Sequence, residues 1–288
     1  YLCDNSSDGN FNTQFIEMSA IGSGGFGTVF KVKHRLDDKI YAVKRVQFGT
    51  FSEEEKQKVL KEVKSLAKLD SDFVVKYYNS WLESNYLFIQ MEFCSQNLKS
   101  VLKDKPIVFE RQPEDHMNSV FEYFISCEIF REILECVQYL HESDPIVIHR
   151  DLKPENILIS VNIRSNRIVK LCDFGLATDH NINGLTVSRY THSVCGTFGY
   201  MAPEVLTGKP YNHKSDIYSL HAIGEELFGF DFQSSQAFEA KESLFKTSIH
   251  CMYETLQQMM AIVWRQRPEC RQVLAKHNEW SLYKTTTQ

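Results

Sequence analysis

The sequence predicts an α+β protein of two parts, a small β-rich lobe over residues 15–92 followed by a larger helical lobe over 93–280. Three observations predict it. Up to about residue 92 the apolar and β-branched residues fall in short runs separated by turn residues. Beyond it the apolar residues recur at helical spacing, and the change of period falls at Glu92–Ser95, where a hinge is expected. A chain of 288 residues can also bury a sizeable core, roughly 75% of its unfolded surface, without a disulfide or metal staple.

Each element has a local reason. Residues 1–14 read as a flexible lead-in. Phe15–Ile21, Thr28–His34 and Ile40–Val46 are strand-like, punctuated by a glycine cluster and by the turn Leu36-Asp37-Asp38-Lys39. Ser52-Glu53-Glu54-Glu55 is a capping box that starts a helix, and Val59, Val63, Leu66 and Ala67 follow on one face. Glu62 falls on that same apolar face, where a carboxylate is costly unless a cation meets it. Val74–Ser80 and Tyr86–Glu92 are strands joined at Glu83-Ser84-Asn85. Residues 103–120, mixed in charge and interrupted by proline, are expected to form a loop or insert. Ile125–His141 is an amphipathic helix with Ile129, Ile133, Cys136, Val137 and Leu140 inward. Residues 281–288 are a tail.

Composition removes several functions. Lys plus Arg number 32 and Asp plus Glu 37, a net charge of −5 that predicts no nucleic-acid surface in this segment. Eight scattered cysteines argue against a disulfide framework or a zinc site and for a reducing, cytoplasmic compartment. No apolar run approaches the ~20 residues of a membrane span, and the polar N-terminus has no signal-peptide stretch. The first residue is Tyr1, not Met, and the chain is expected to be a fragment.

Five motifs carry chemistry. Gly22-Ser23-Gly24-Gly25-Phe26-Gly27-Thr28-Val29 would let backbone N–H groups approach phosphate oxygens, although a plain glycine-rich hairpin reads the same way. Strand on both sides disfavours a dinucleotide fold, which needs a helix after the glycines. Lys44, in Tyr41-Ala42-Val43-Lys44, is either a snorkelling strand lysine or a phosphate-binding cation, and it is the obvious partner for Glu62. His149-Arg150-Asp151-Leu152-Lys153-Pro154-Glu155-Asn156 is the most specific. There Asp151 can accept or orient a hydroxyl proton, Lys153 can neutralise a transferred phosphoryl group, and Asn156 can reach a metal ion. Asp173-Phe174-Gly175 offers the hard oxygen ligand that Mg²⁺ prefers. Ala202-Pro203-Glu204 places a carboxylate for which Arg267 is the expected buried partner, and Asp216 is expected to anchor the backbone of the 149–156 loop.

In this order the motifs resemble the eukaryotic protein kinase family over residues 21–268. The resemblance implies a bilobal protein-kinase fold with ATP and Mg²⁺ in the cleft and a protein substrate. It implies a Lys44–Glu62 ion pair, Asp151 as base, Asn156 and Asp173 as metal ligands, and Lys153 as the mark of serine/threonine specificity. Gly22, Ser23, Gly24, Gly25, Phe26, Gly27, Val29, Ala42 and Lys44 would line the nucleotide, with Met91 as gatekeeper and the backbone of Glu92 and Cys94 on adenine. Arg150 would bind a phosphate on Thr186, Ser188, Thr191 or Ser193, with Thr191 and Ser193 favoured; Thr197 would instead orient the 149–156 loop.

Glu62–Leu69, Val74–Glu83 and Leu87–Cys94 are similar to kinases of the alpha subunit of translation initiation factor 2, and Ile21–His34 is similar to the double-stranded-RNA-activated member. That implies a kinase that restrains translation under stress. The Wee-type branch shares some of the Tyr-Tyr-x-x-Trp signature. A kinase acting on another protein substrate and a pseudokinase binding module compete with this reading. Three departures stand out. Asn10 occupies the Arg position whose ion pair to the residue at Asp37 joins the family's homodimer, so a dimer of that kind lacks its ion pair. His221 stands where glycine is usual, and residues 228–256 match the substrate-docking region poorly.

Overall fold

The computed structural model describes residues 10–24, 27–112, 117, 119–160, 167–173, 178–180, 196–230 and 243–282; at 24, 58, 61, 62, 65, 178–180 and 243–245 only the backbone is described. The chain divides after Ser95 into two compact units, at the end of the expected hinge.

The first unit opens with a short helix α1 (Asn10–Gln14), where a flexible lead-in was expected. Phe11 is the reason: it is buried, stacks on Phe88 at 5.0 Å, and its amide donates to Glu83 Oε2 at 2.9 Å. Then come β1 (Phe15–Gly24), β2 (Gly27–His34), β3 (Ile40–Val46), helix α2 (Glu53–Lys68), β4 (Tyr77–Glu83) and β5 (Tyr86–Glu92). The strands form one antiparallel sheet in the order β1-β2-β3-β5-β4. One face buries Phe30, Val32, Val43 and Phe88 beneath Phe11 and Phe15. The α2 capping box forms as expected, with Ser52 N donating to Glu55 Oε2 at 2.8 Å and Glu55 N to Ser52 Oγ at 3.3 Å. Val59, Val63 and Leu66 are buried, but Ala67 is exposed and Leu69 takes the inward place. Ser84 and Asn85 both adopt positive φ, which makes the β4–β5 connection a tight two-residue turn.

The second unit contains β6 (Gln96–Asn97), α3 (Leu98–Val108), α4 (Val120–His141), β7 (Ile146–Ile148), β8 (Ile157–Ile159), β9 (Val169–Leu171), β10 (Thr178–His180), α5 (Pro203–Leu206), α6 (Lys214–Phe228), α7 (Ser243–Met259), α8 (Cys270–Ala275) and α9 (His277–Trp280). Helix α3 corrects the expected loop over 103–120. Asn97 and Ser100 cap it reciprocally, and the helix carries Pro106 in its last turn. Lys105 then reaches Leu227 O at 2.5 Å and Glu122 at 3.3 Å, while Arg111 reaches Glu122 at 3.0 Å, so α3 is tied to α4 and α6 by a buried charge set. The five residues expected inward on the Ile125–His141 helix are all buried on α4. Two small sheets, β6-β8-β9 and β7-β10, flank the loop that follows β7. Among the described residues no helix is long and apolar enough to cross a membrane, and six cysteines are free.

Helix α7 packs closely on α6 at Gly224, where a Cβ would meet Leu256 Cδ2 at 2.5 Å. His221, one turn earlier, is 3% exposed; burial pushes its imidazole down to about 4, against the raising effect of a Leu256 backbone hydrogen bond. The unfolded chain, near 6.5, therefore takes up a proton first, and stability falls as pH drops from about 6.5 to about 4, by roughly 3 kcal/mol when the window is crossed. Replacing His221 with Met is expected to flatten the fall in melting temperature between pH 6.5 and 4. Parallel melting curves for the two proteins across that window would remove His221 as the cause.

Candidate active site

In the first unit the register gathers the predicted nucleotide residues. Val29 pairs with Lys44, Lys44 with Ile89 and Ala42 with Met91. Paired residues share a face, so Val29, Ala42, Lys44 and Met91 lie together on the face opposite the Phe30–Phe88 core. The β1–β2 hairpin pairs Gly22 with Val29 and Gly24 with Gly27, and Ser23 is exposed. Gly27 has φ +118°, and a Cβ there would lie 2.2 Å from Arg45 O, so the sheet itself demands glycine. A Cβ on Gly22 would meet no atom within 4 Å, so packing does not require glycine there and space is left above the strand. Glu92 N donates to Lys76 O at 2.8 Å, and Cys94 is half-buried. Gly25, Phe26 and the Glu62 side chain lie outside the described residues, and with them the Lys44–Glu62 pair.

In the second unit the 149–156 loop is built around Asp216, at the first turn of α6 and fully buried. Its Oδ2 accepts from His149 N and its Oδ1 from Arg150 N, each at 2.9 Å, as expected from sequence. His141, the last residue of α4, adds Nε2 to Oδ2 at 2.9 Å. Desolvation raises the Asp216 pKa, but the His141 and backbone hydrogen bonds outweigh it and hold the carboxyl below its ordinary value. With its amide fixed, Arg150 takes φ +70°, a left-handed conformation uncommon outside glycine. His149 Nε2 donates to Cys172 O at 3.0 Å, while its Nδ1 accepts from Asp151 N at 3.4 Å. That pair of bonds assigns the Nε2–H tautomer.

The Asp151 carboxylate sits at the centre. Oδ1 accepts from Thr197 Oγ1 at 2.8 Å; Oδ2 is 2.9 Å from Lys153 Nζ and 3.1 Å from Asn156 Nδ2. Lys153 Nζ also donates to Thr197 Oγ1 at 2.8 Å, and Asn156 Nδ2 to Asp151 O at 2.8 Å. Asn156 therefore turns its amide nitrogen toward Asp151, which leaves Oδ1 for a cation. Asp173 is exposed with φ +61°, and Cys172 N, just before it, donates to Asn156 O at 3.0 Å. A carboxylate and an amide oxygen are hard ligands of the kind a divalent cation can take. No cluster of three metal-ligating His, Cys, Asp or Glu side chains exists among the described residues. Below the site, Arg267 binds Glu204 through two contacts of 2.6 and 2.8 Å, the buried pair expected from sequence.

A protein kinase domain model matches residues 15–281. The chain belongs to the protein kinase domain family. It is 33% identical to the interferon-induced, double-stranded RNA-activated protein kinase of Mus musculus over 95% of this chain and 52% of that relative. It is 34% identical to a Wee1-like protein kinase of Oryza sativa subsp. japonica over 75% of this chain and 36% of that one. To cyclin-dependent kinase-like 5 of Homo sapiens it is 29% identical over 82% of this chain and 23% of that relative. The chain thus spans about half the length of the first of these relatives. The family uses ATP and a divalent metal on a protein substrate, and the five-stranded sheet followed by a helical unit is its bilobal fold.

Sequence reasoning missed two parts of this kinase domain. Gly196 has φ +117°, and a Cβ would press to 2.7 Å on Arg150 O, so only glycine lets Thr197 come up to Asp151. The Gly196-Thr197 pair was the available signal. His141 had none, because a histidine ending a helix reads as an ordinary C-terminal residue. Phe174, Gly175 and the hydroxyls Thr186, Ser188, Thr191 and Ser193 lie outside the described residues.

Thr197 ties Lys153 to Asp151 through one hydroxyl. A hydrogen bond to a charged group is worth about 1.5–3 kcal/mol, which corresponds to roughly 10–100-fold in rate. Steady-state kinetics should show Thr197→Ala losing kcat in that range and Thr197→Ser recovering most of it. A Thr197→Ser protein as slow as Thr197→Ala would show that the hydroxyl is not what matters.

Proposed function

We propose that this kinase domain is an ATP- and Mg²⁺-dependent serine/threonine kinase. The observation that carries the reading is the convergence of Lys153, Thr197 and Asn156 on the Asp151 carboxylate. Asp151 orients the substrate hydroxyl and takes its proton. The hydroxyl oxygen forms the new bond to phosphorus as the bond to the departing ADP oxygen breaks. Lys153 lies beside the charge that develops on the transferred group. A magnesium nucleotide, when bound, supplies the phosphoryl group and neutralises its charge. In this reading Asn156 and Asp173 of the second unit would hold the metal, while in the first unit Lys44, Glu62 and residues Gly22–Gly27 would take phosphates and Val29, Ala42, Met91 and the backbone of Glu92 and Cys94 the base. Positioning and charge account for the rate, since no covalent bond to the protein forms.

The substrate in this reading is a serine of the alpha subunit of translation initiation factor 2, phosphorylated in the cytoplasm to restrain translation under stress. The resemblance of Val74–Glu83 and Leu87–Cys94 to kinases of that subunit supports it, as does the similarity to the double-stranded RNA-activated relative. Arg150 answers a phosphate on the 186–193 hydroxyls. A homodimer would have to form without that ion pair, since the neutral Asn10 offers no cation to Asp37.

Incubation with the purified factor and Mg·ATP should place phosphate on a single serine, and Asp173→Ala should lower that transfer by at least about 10²-fold while leaving the melting temperature unchanged. Near-normal transfer by Asp173→Ala would reject the metal role. Efficient phosphorylation of a generic substrate with none on the factor would reject the substrate.

A further inference from the structure

Arg150 is held in two different ways. Its backbone belongs to Asp216, which spends one carboxylate oxygen on the Arg150 amide. Its side chain makes no ion pair among the described residues, and its Nε and Nη2 are buried with no hydrogen-bond partner. Desolvated guanidinium N–H groups without acceptors are costly, so a side chain placed this way needs another attraction to keep it from swinging to water. An aromatic ring supplies that attraction. The guanidinium carbon lies 5.2 Å from the ring centroid of Tyr211, over the aromatic face. Tyr211 is itself 7% exposed and fixed among Ala202, Val205, Met201 and Tyr218, in the stretch between α5 and α6. Arg150 and Tyr211 line one small cavity together with Met201, Ser215, Asp216 and Ser219.

We propose that Tyr211 is a positioning residue for Arg150: its ring parks the guanidinium beside the 149–156 loop, with two N–H groups turned to no acceptor among the described residues. The same rigid cluster also serves a second arginine, since Arg267 lies 5.2 Å over the ring of Tyr218. The two arginines differ in one respect. Arg267 has a carboxylate, Glu204, in bidentate contact, whereas Arg150 has the ring alone to hold its charge among the described residues. Losing the Tyr211 face should therefore free the Arg150 side chain and loosen the residue that immediately precedes Asp151. The effect on turnover rests on the kinase reading; the coupling between the two side chains does not.

A double-mutant cycle tests it, with melting temperature and kinetics measured on the same samples of wild type, Tyr211→Phe, Tyr211→Leu, Arg150→Ala and the Arg150→Ala/Tyr211→Leu pair. Tyr211→Phe keeps the ring and should match wild type in kcat. Tyr211→Leu should lower kcat several-fold toward the Arg150→Ala value with the KM for ATP within twofold, and should lower it no further in the Arg150→Ala background. Its loss in melting temperature should likewise be smaller in that background. Equal melting losses in both backgrounds, or multiplicative losses in kcat, would overturn the proposal and leave Tyr211 as ordinary packing. If no variant, wild type included, turns over substrate, the kinase reading fails while the melting cycle still decides the coupling. If Tyr211→Leu does not fold, the wild-type protein decides: the Arg150 side-chain proton resonances should be shifted upfield by the ring, and unshifted resonances would overturn the proposal.

Discussion

The second unit depends on a buried carboxylate that never touches a substrate. Asp216 has no exposure and spends both oxygens on the amides of His149 and Arg150, with His141 closing the set. Burying an unpaired carboxylate would be expensive, and leaving two loop amides unpaired would add to that cost. Meeting each other, the three groups remove both costs and make the loop conformation the one that α4 and α6 enforce. Everything downstream inherits that constraint. The left-handed Arg150, the His149 tautomer and the orientation of Asp151 toward Thr197, Lys153 and Asn156 follow from where two N–H groups are held.

The first unit solves a different problem with strand register. A period of two residues and antiparallel pairing put Val29, Ala42, Lys44 and Met91 on one face, and leave the other face to an aromatic core. A one-residue slip of β3 would send Lys44 into that core and Val43 out of it. The register is therefore fixed by the cost of burying an ammonium, reinforced by Gly27, which alone permits the close approach to Arg45.

Much of this was legible in the sequence, for identifiable reasons. The strands of the first unit, with the fourth starting three residues later than the expected Val74 and running to Glu83, the α2 capping box, the inward face of α4 and the Glu204–Arg267 pair are local patterns or a charge in need of a partner, and each appears in the structure. The 149–156 residues were readable because acid, amide and cation within six positions have few other uses. The failures also have causes. The second half of α3, residues 103–108, reads as a loop because of Pro106 and mixed charge, and because the buried partners of Lys105 lie far along the chain at Glu122 and Leu227. Helix α1 escapes a sequence reading because its stability comes from Phe11 against Phe88 on a distant strand, not from its own five residues. The roles of His141 and Tyr211 are likewise tertiary, and no spacing in the sequence announces them.

Amide hydrogen exchange at His149 and Arg150, compared between wild type and Asp216→Asn with phosphate transfer measured on the same preparations, decides whether the buried carboxylate holds the loop. Both amides should be strongly protected in wild type, and protection and turnover should fall together in the variant. Retained turnover in a variant whose two amides exchange freely would contradict that dependence.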